Sequence, residues 1–177
     1  MDMMNEKAKP IRLAIFDVDG VLTDGKLVYG PNGIEYKEFH VHDGQGMKYL
    51  QKSGVELAII TACTSPIVAK RMKDLGINHI YQGVHDKLSS FEELKLKLAL
   101  TNEQIAYIGD DLPDLPIITR VGLGMTVANA PEIMRQHAPW TTKAKGGRGA
   151  AREFCEIIMR AQGTYEPLIQ AHLYRKE

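Results

Sequence analysis

Two acids, Asp17 and Asp19, stand directly after an apolar run, Ile11–Phe16, and are followed at once by Gly20. Alternate side chains of a strand share a face, and where a glycine lets the backbone turn, both carboxylates can converge on one small volume. Carboxylates held together repel unless a cation joins them. Magnesium meets that need, because it takes oxygen ligands from one or two carboxylates together with water and phosphate oxygens. The pair therefore points to phosphate chemistry. A calcium loop starting at Asp17 would want an acid or amide at its fifth place, glycine at the sixth and glutamate at the twelfth. Val21, Leu22 and Val28 stand there instead, which excludes it. A plain turn with solvated acids is the remaining alternative.

The elements that must position these acids follow from apolar patterning. After a mobile head, Met1–Pro10, the run Ile11–Phe16 reads as a strand buried inside a parallel sheet. The segment Lys26–Val41 alternates apolar and polar residues around Gly30-Pro31-Asn32-Gly33 and reads as a projecting hairpin closed by Asp43-Gly44, spanning 26–43 in all. A short helix carrying Met47, Leu50 and Gln51 runs to Gly54. Strands and helices then alternate: strand Val55–Ile60, helix Ser65–Leu75 stopped by Gly76, strand His79–Gln82, and helix Lys87–Leu100 with Leu88, Phe91, Leu94 and Leu98 on one side. Thr101 and Gln104 have capping-box spacing for one turn at most, before strand Ile105–Ile108. A short helix Leu112–Val121, a final strand Gly124–Val127 and a helix Pro131–His137 with proline in its first turn complete the series. This rhythm predicts an α/β fold, a doubly wound parallel sheet with a projecting β-hairpin, and ligands at the carboxyl ends of its strands.

That rule asks other strand ends to complete the site. Thr61 ends the second strand, Lys87 opens the helix after the third, and Asp110, Asp111 and, one turn on, Asp114 follow the fourth. Each alone has an ordinary reading: a threonine after a strand as a turn residue, a lysine as a solvated side chain, acids at a helix start as complements of its dipole. Only their order at successive strand ends is specific.

Composition bounds the remaining possibilities. At 177 residues the chain suits one well-buried domain, 1–177. Lys and Arg number 22, matched by 22 Asp and Glu, and no run of like charge marks a nucleic-acid or membrane partner. No stretch holds the ~18 apolar residues a membrane span needs, and the head has no apolar segment, so a cytoplasmic location is expected. Cys63 and Cys155 lie far apart without metal-ligand spacing and fit a reduced protein. Cys63 has no evident activating histidine and reads as a filler. His40 and His42 would share a strand face, but no third metal ligand stands nearby in sequence.

The stretch Asp17-Val18-Asp19-Gly20-Val21-Leu22-Thr23-Asp24-Gly25 resembles the first motif of the haloacid dehalogenase superfamily of phosphatases. The resemblance implies that Asp17 is the nucleophile and Asp19 the general acid/base. It further implies that Thr61 and Lys87 hold the phosphoryl group, that Mg2+ is held by Asp17, the Asp19 carbonyl and Asp110, and that Asp111 and Asp114 support that site. It extends over nearly the whole chain. The Asn32-Gly33 hairpin, Phe39 through Asp43-Gly44, Tyr107-Ile108-Gly109-Asp110-Asp111-Leu112 and Gly146-Gly147-Arg148-Gly149 look like the 3-deoxy-D-manno-octulosonate 8-phosphate phosphatases of lipopolysaccharide synthesis. That family implies no cap domain and a homotetramer with hairpins at its centre. It also implies a C-terminal tail, here 146–177, that can close a neighbour's active site. Where that family often reads Thr-Gly-Arg this chain has Thr61-Ala62-Cys63, and where it often reads Val-Arg-Asp-Gly this chain has Val41-His42-Asp43-Gly44. Arg71 or Arg148 from a neighbour is expected to replace the missing arginines, or the substrate is a related nine-carbon sugar-acid phosphate; a non-catalytic assembly module is the reading from another class.

Overall fold

The computed structural model describes residues 3–174; the outermost parts of the expected head and tail, 1–2 and 175–177, lie outside it. Helix α1 (Met3–Ala8) precedes strand β1 (Leu13–Phe16), and strands β2 (Val28–Tyr29) and β3 (Glu35–Tyr36) form a separate antiparallel pair. Then come α2 (Val41–Lys52), β4 (Glu56–Ile60), α3 (Pro66–Leu75), β5 (His79–Tyr81), α4 (Lys87–Lys97), β6 (Ile105–Gly109) and α5 (Leu115–Ile118). The series closes with β7 (Leu123–Thr126), α6 (Glu132–His137), β8 (Trp140–Thr141), α7 (Ala150–Ala161) and α8 (Tyr165–Leu173). The large sheet runs β5-β4-β1-β6-β7-β8, parallel at every pairing.

This order puts β1 at the topological switch point. The chain leaves β1 toward β4 and β5, then crosses to β6 on the other side, opening a crevice at the carboxyl ends of β1, β4 and β6. Strands at such a position are covered on both faces, which is why all four residues of β1 and all five of β6 are buried. In β1, Phe16 meets Phe154 of α7 edge to face at 5.3 Å.

Helix α7 shows the period expected of a covered helix, burying Ala150, Ala151, Phe154, Cys155, Ile158 and Met159. Its partner α2 buries Asp43, Gly44, Gly46, Met47 and Leu50 at the same spacing, but its apolar pattern is weak because three of those five carry no apolar side chain. A Cβ on Gly46 would press into the Arg152 stem, so this glycine sets how closely α2 and α7 approach. Buried Asp43, in the first turn of α2, accepts N–H bonds from Gly149 (3.3 Å) and Arg152 (2.8 Å) and so caps α7.

Several expectations change. Asp43-Gly44 belongs to α2 and does not close a hairpin; the paired strands are two residues each, and His40 and His42 sit at the N-cap and in the first turn of that helix, not on a strand. The head is helical, with Ala8 buried and α1 against α7. Strand β7 is followed by a further strand, β8, whose two residues are too few to carry a pattern. The segment Leu112–Val121 is a 3-10 turn over Leu112–Asp114 followed by the short α5. Within the expected tail, α7 forms part of its own subunit's core, while α8 buries none of its residues fully.

Candidate active site

The chain leaves β1 still tied to its neighbour, the Asp17 N–H donating to the Ile108 carbonyl of β6 at 3.0 Å. The next turn is locked from within. Val21, Leu22 and Thr23 all donate to the Val18 carbonyl, while Thr23 Oγ1 accepts from the N–H groups of Gly20 (3.3 Å) and Gly25 (3.2 Å). Gly20 has φ +85°, which favours glycine, and a Cβ there would collide with the Asp110 carboxylate. The glycine thus both permits the turn and leaves room for an acid arriving from β6. From the other side Gly146 presses on the Gly20 carbonyl, and the Gly147 N–H donates to Val21 O at 2.8 Å.

Asp17, Asp19, Thr61, Lys87, Asp110, Asp111 and Asp114 all line one cleft of about 310 Å³. Buried Lys87 sits at the centre of its charge, with Nζ 2.9 Å from Asp17 Oδ2 and 2.7 Å from Asp114 Oδ1. Asp86 holds the start of its helix by accepting from the Ser89 N–H at 3.2 Å. Thr61 is buried at the end of β4, its Oγ1 accepting from the Cys63 N–H at 3.3 Å. Half-exposed Cys63 also lines the cleft, and burial pushes its thiol up, which suits an unreactive filler.

Carboxylate oxygens of Asp17, Asp110 and Asp114 lie within 4.8 Å of one another. They are not equivalent. Asp114 is spoken for: Oδ1 accepts from Lys87 Nζ and from the Tyr107 hydroxyl (2.6 Å), and Oδ2 accepts from the N–H groups of Asp110 (3.1 Å) and Asp111 (3.3 Å). It braces Lys87 and the loop after β6. Asp111 caps the 3-10 turn through the Leu112 N–H at 2.8 Å. Asp17 and Asp110 are therefore the acids with oxygens to offer a hard cation. Their electrostatics agree. Burial first, then the Asp114 charge, pushes the Asp17 carboxyl far above its ordinary range against the pull of Lys87. Burial, then Asp114 and Asp111, pushes Asp110 to about 7. Burial works against the Lys87 ammonium too, but Asp17 and Asp114 outweigh it and hold its pKa above ordinary lysine. A further positive charge between Asp17 and Asp110 would relieve both.

Asp19 faces a different partner. Lys37, just beyond β3, brings its Nζ to 2.6 Å from Asp19 Oδ1 and 3.1 Å from Glu35 Oε1. This lysine lay unmarked in an alternating stretch, 18 residues from its partner, and no sequence pattern signals it; nor did any pattern mark Tyr107 as the brace of Asp114. The expected arginines do not enter the cleft of their own subunit. Arg71 is turned toward Gly44 and lies over the Phe39 ring, 5.8 Å from its centroid, and Arg148 lines a separate small pocket with Asp24, Glu38, Phe39, His40 and Gly147.

Residues 71–154 match the haloacid dehalogenase-like hydrolase family. The 3-deoxy-D-manno-octulosonate 8-phosphate phosphatase of Escherichia coli K12 is 47% identical over 160 residues, spanning 90% of this chain and 85% of that one. This chain belongs to the haloacid dehalogenase-like phosphatases. Two solved structures resemble this phosphatase over 97% of its length, each with a TM-score of 0.95. One is a probable YrbI family phosphatase of Pseudomonas syringae pv. phaseolica, 53% identical and covered over 97% of its chain. The other is the Moraxella catarrhalis 3-deoxy-D-manno-octulosonate 8-phosphate phosphatase in complex with a magnesium ion, a phosphate ion and a KDO molecule, 44% identical and covered over 99%. Among the described residues of the phosphatase no helix is long and apolar enough to cross a membrane.

Proposed function

We propose that this chain, acting as one catalytic unit, hydrolyses 3-deoxy-D-manno-octulosonate 8-phosphate to KDO and phosphate in the cytoplasm, as a step of lipopolysaccharide sugar synthesis. What supports the reading above all is the convergence of Asp17, Asp19, Thr61, Lys87 and Asp110 from separate strand ends on one cleft. In this reading Asp17 attacks phosphorus in line and forms an aspartyl phosphate. Asp19 gives a proton to the departing sugar oxygen and then takes one from the water that hydrolyses the intermediate. Thr61 and Lys87 hold the phosphoryl oxygens, Lys87 opposing the charge of both transition states. Asp17, the Asp19 carbonyl and Asp110 would hold Mg2+, which when bound supplies charge neutralisation between acids and phosphate. Asp111 and Asp114 act by holding the loop and Lys87.

The assembly belongs to the same proposal. Leu27, Val28, Tyr29, Ile34 and Tyr36 form an exposed apolar group on the hairpin, which suits burial at the centre of a homotetramer. In such an assembly Arg71 or Arg148 reaches substrate only as a neighbour's residue. A catalytically silent module is disfavoured, because Asp17, Lys87 and Asp114 are costly to enclose and serve no packing need. The test is phosphate release, with and without magnesium, from the octulosonate 8-phosphate, nine-carbon sugar-acid 9-phosphates, hexose phosphates and an aryl phosphate. Preference for the first is expected; preference for a nine-carbon acid would keep the chemistry and change the substrate.

A further inference from the structure

A second lysine, Lys37, reaches the cleft's Asp19 from behind the cleft lining, and the reaction outlined above does not use it. We infer that Lys37 is a positioning residue for Asp19: by taking one carboxylate oxygen it orients the other toward the oxygen that leaves phosphorus. The inference rests on the phosphatase reading and on three features of the pair. First, Nζ lies 2.6 Å from Asp19 Oδ1 alone, so Oδ2 is left for chemistry. Second, the Lys37 side chain is 1% exposed while that of Asp19 is 31% exposed, so the ammonium is fixed from behind while the acid faces the open cleft. Third, Glu35 of β3 anchors the same ammonium at 3.1 Å, so its position is held from the hairpin as well as by Asp19.

A rotating carboxylate loses both its tasks, and the two can be read apart. The ratio kcat/KM reports steps up to release of the alcohol, where a poor leaving group needs a proton and a nitrophenolate does not; kcat on the nitrophenyl ester reports hydrolysis of the intermediate. For Lys37→Met, kcat/KM on the sugar phosphate is expected to fall about 10- to 100-fold, a part of what a positioned acid contributes. On 4-nitrophenyl phosphate kcat/KM should stay within about threefold of the wild type, while kcat falls and a burst of nitrophenol appears. Lys37→Arg, which can still bridge Asp19 and Glu35, should recover most of the sugar-phosphate loss. Methionine matches the length of the stem, and water reaches both abandoned carboxylates, so the variant should unfold near the wild-type temperature. An equal fall in kcat/KM on both esters, or no fall on either, overturns the inference while the phosphatase reading stands. A wild type that releases phosphate from neither ester overturns both.

Discussion

Two lysines clamp the acids of the cleft, Lys87 from within it and Lys37 from behind, and they are built on opposite principles. Lys87 is held from the sheet side: it opens a helix, its ammonium is wedged between Asp17 and Asp114, and Tyr107 of β6 braces the second acid. Lys37 is held from the hairpin side, on an appendage outside the large sheet, and its two acids keep access to water. The nucleophile's cation thus rests on the rigid core, and the proton carrier's cation rests on a part whose own apolar face is uncovered in the single chain. Attack on phosphorus needs tenths of an ångström, and the core gives that. Proton exchange with a departing sugar and an incoming water needs an open approach, and an acid that keeps access to water while clamped from a separate element gives that.

The comparison breaks most severely at Asp17. Asp17→Asn removes the nucleophile with little change in volume and should abolish turnover with the fold intact; circular dichroism and phosphate release on one preparation check both. Next comes Lys87→Met, expected to cost about 10²- to 10³-fold in kcat. It also leaves Asp17 and Asp114 enclosed without their cation, so a stability loss of up to about 3–5 kcal/mol is expected by denaturant titration. The same substitution at Lys37 should leave stability nearly unchanged, and equal destabilisation by the two would erase the distinction.

A smaller effect concerns pH. Asp110, raised to about 7 in the folded chain, binds more protons there than when unfolded, where its pKa is near 4. Its contribution to stability is therefore present below about pH 4 and lost as pH rises toward 7. Magnesium reverses the penalty, so the ion should raise the melting temperature more at pH 8 than at pH 5.5; an equal rise at both would detach Asp110 from the metal. Least disturbing to the chemistry, Tyr29→Glu with Ile34→Glu should split the proposed tetramer, as read by light scattering, while leaving aspartyl phosphate formation from 4-nitrophenyl phosphate, which offers a neighbour's arginine no carboxylate, within a few-fold of wild type. A wild type that is already monomeric at micromolar concentration would remove the tetramer.

The core half of this comparison was legible in the sequence; of the hairpin half the turn and its two strands were legible, but not the lysine it carries. Strands β1, β4 and β6 are apolar runs that end in polar residues, so the parallel-sheet rule alone brought Asp17, Thr61 and Asp110 together. Helix α2 was expected through Met47, Leu50 and Gln51, but its first turn was not, because that turn's meaning lies in what is missing: Gly44 and Gly46 make room for neighbours, and buried Asp43 serves a helix more than a hundred residues away. Strand β8 is too short to show alternation. Lys37 differs from a solvated lysine only through tertiary contacts, which no local pattern records. The same reason hid the role of Gly146 and Gly147, which look like a flexible start to a tail but are packed against the first loop.

That last contact fixes an order of events during synthesis. The loop at Gly20–Thr23 is among the first parts of the chain to leave the ribosome, yet Gly146 and Gly147, which close over it, are among the later ones. Asp43 likewise waits for Gly149 and Arg152 before its carboxylate has a partner. Domains generally fold as units, so the turn after β1 stays without the Gly146 and Gly147 brace until the chain beyond Gly147 has been made. The first loop gains its full set of contacts only once Gly146 and Gly147 are in place, so a chain stopped short of them lacks that brace on its catalytic turn.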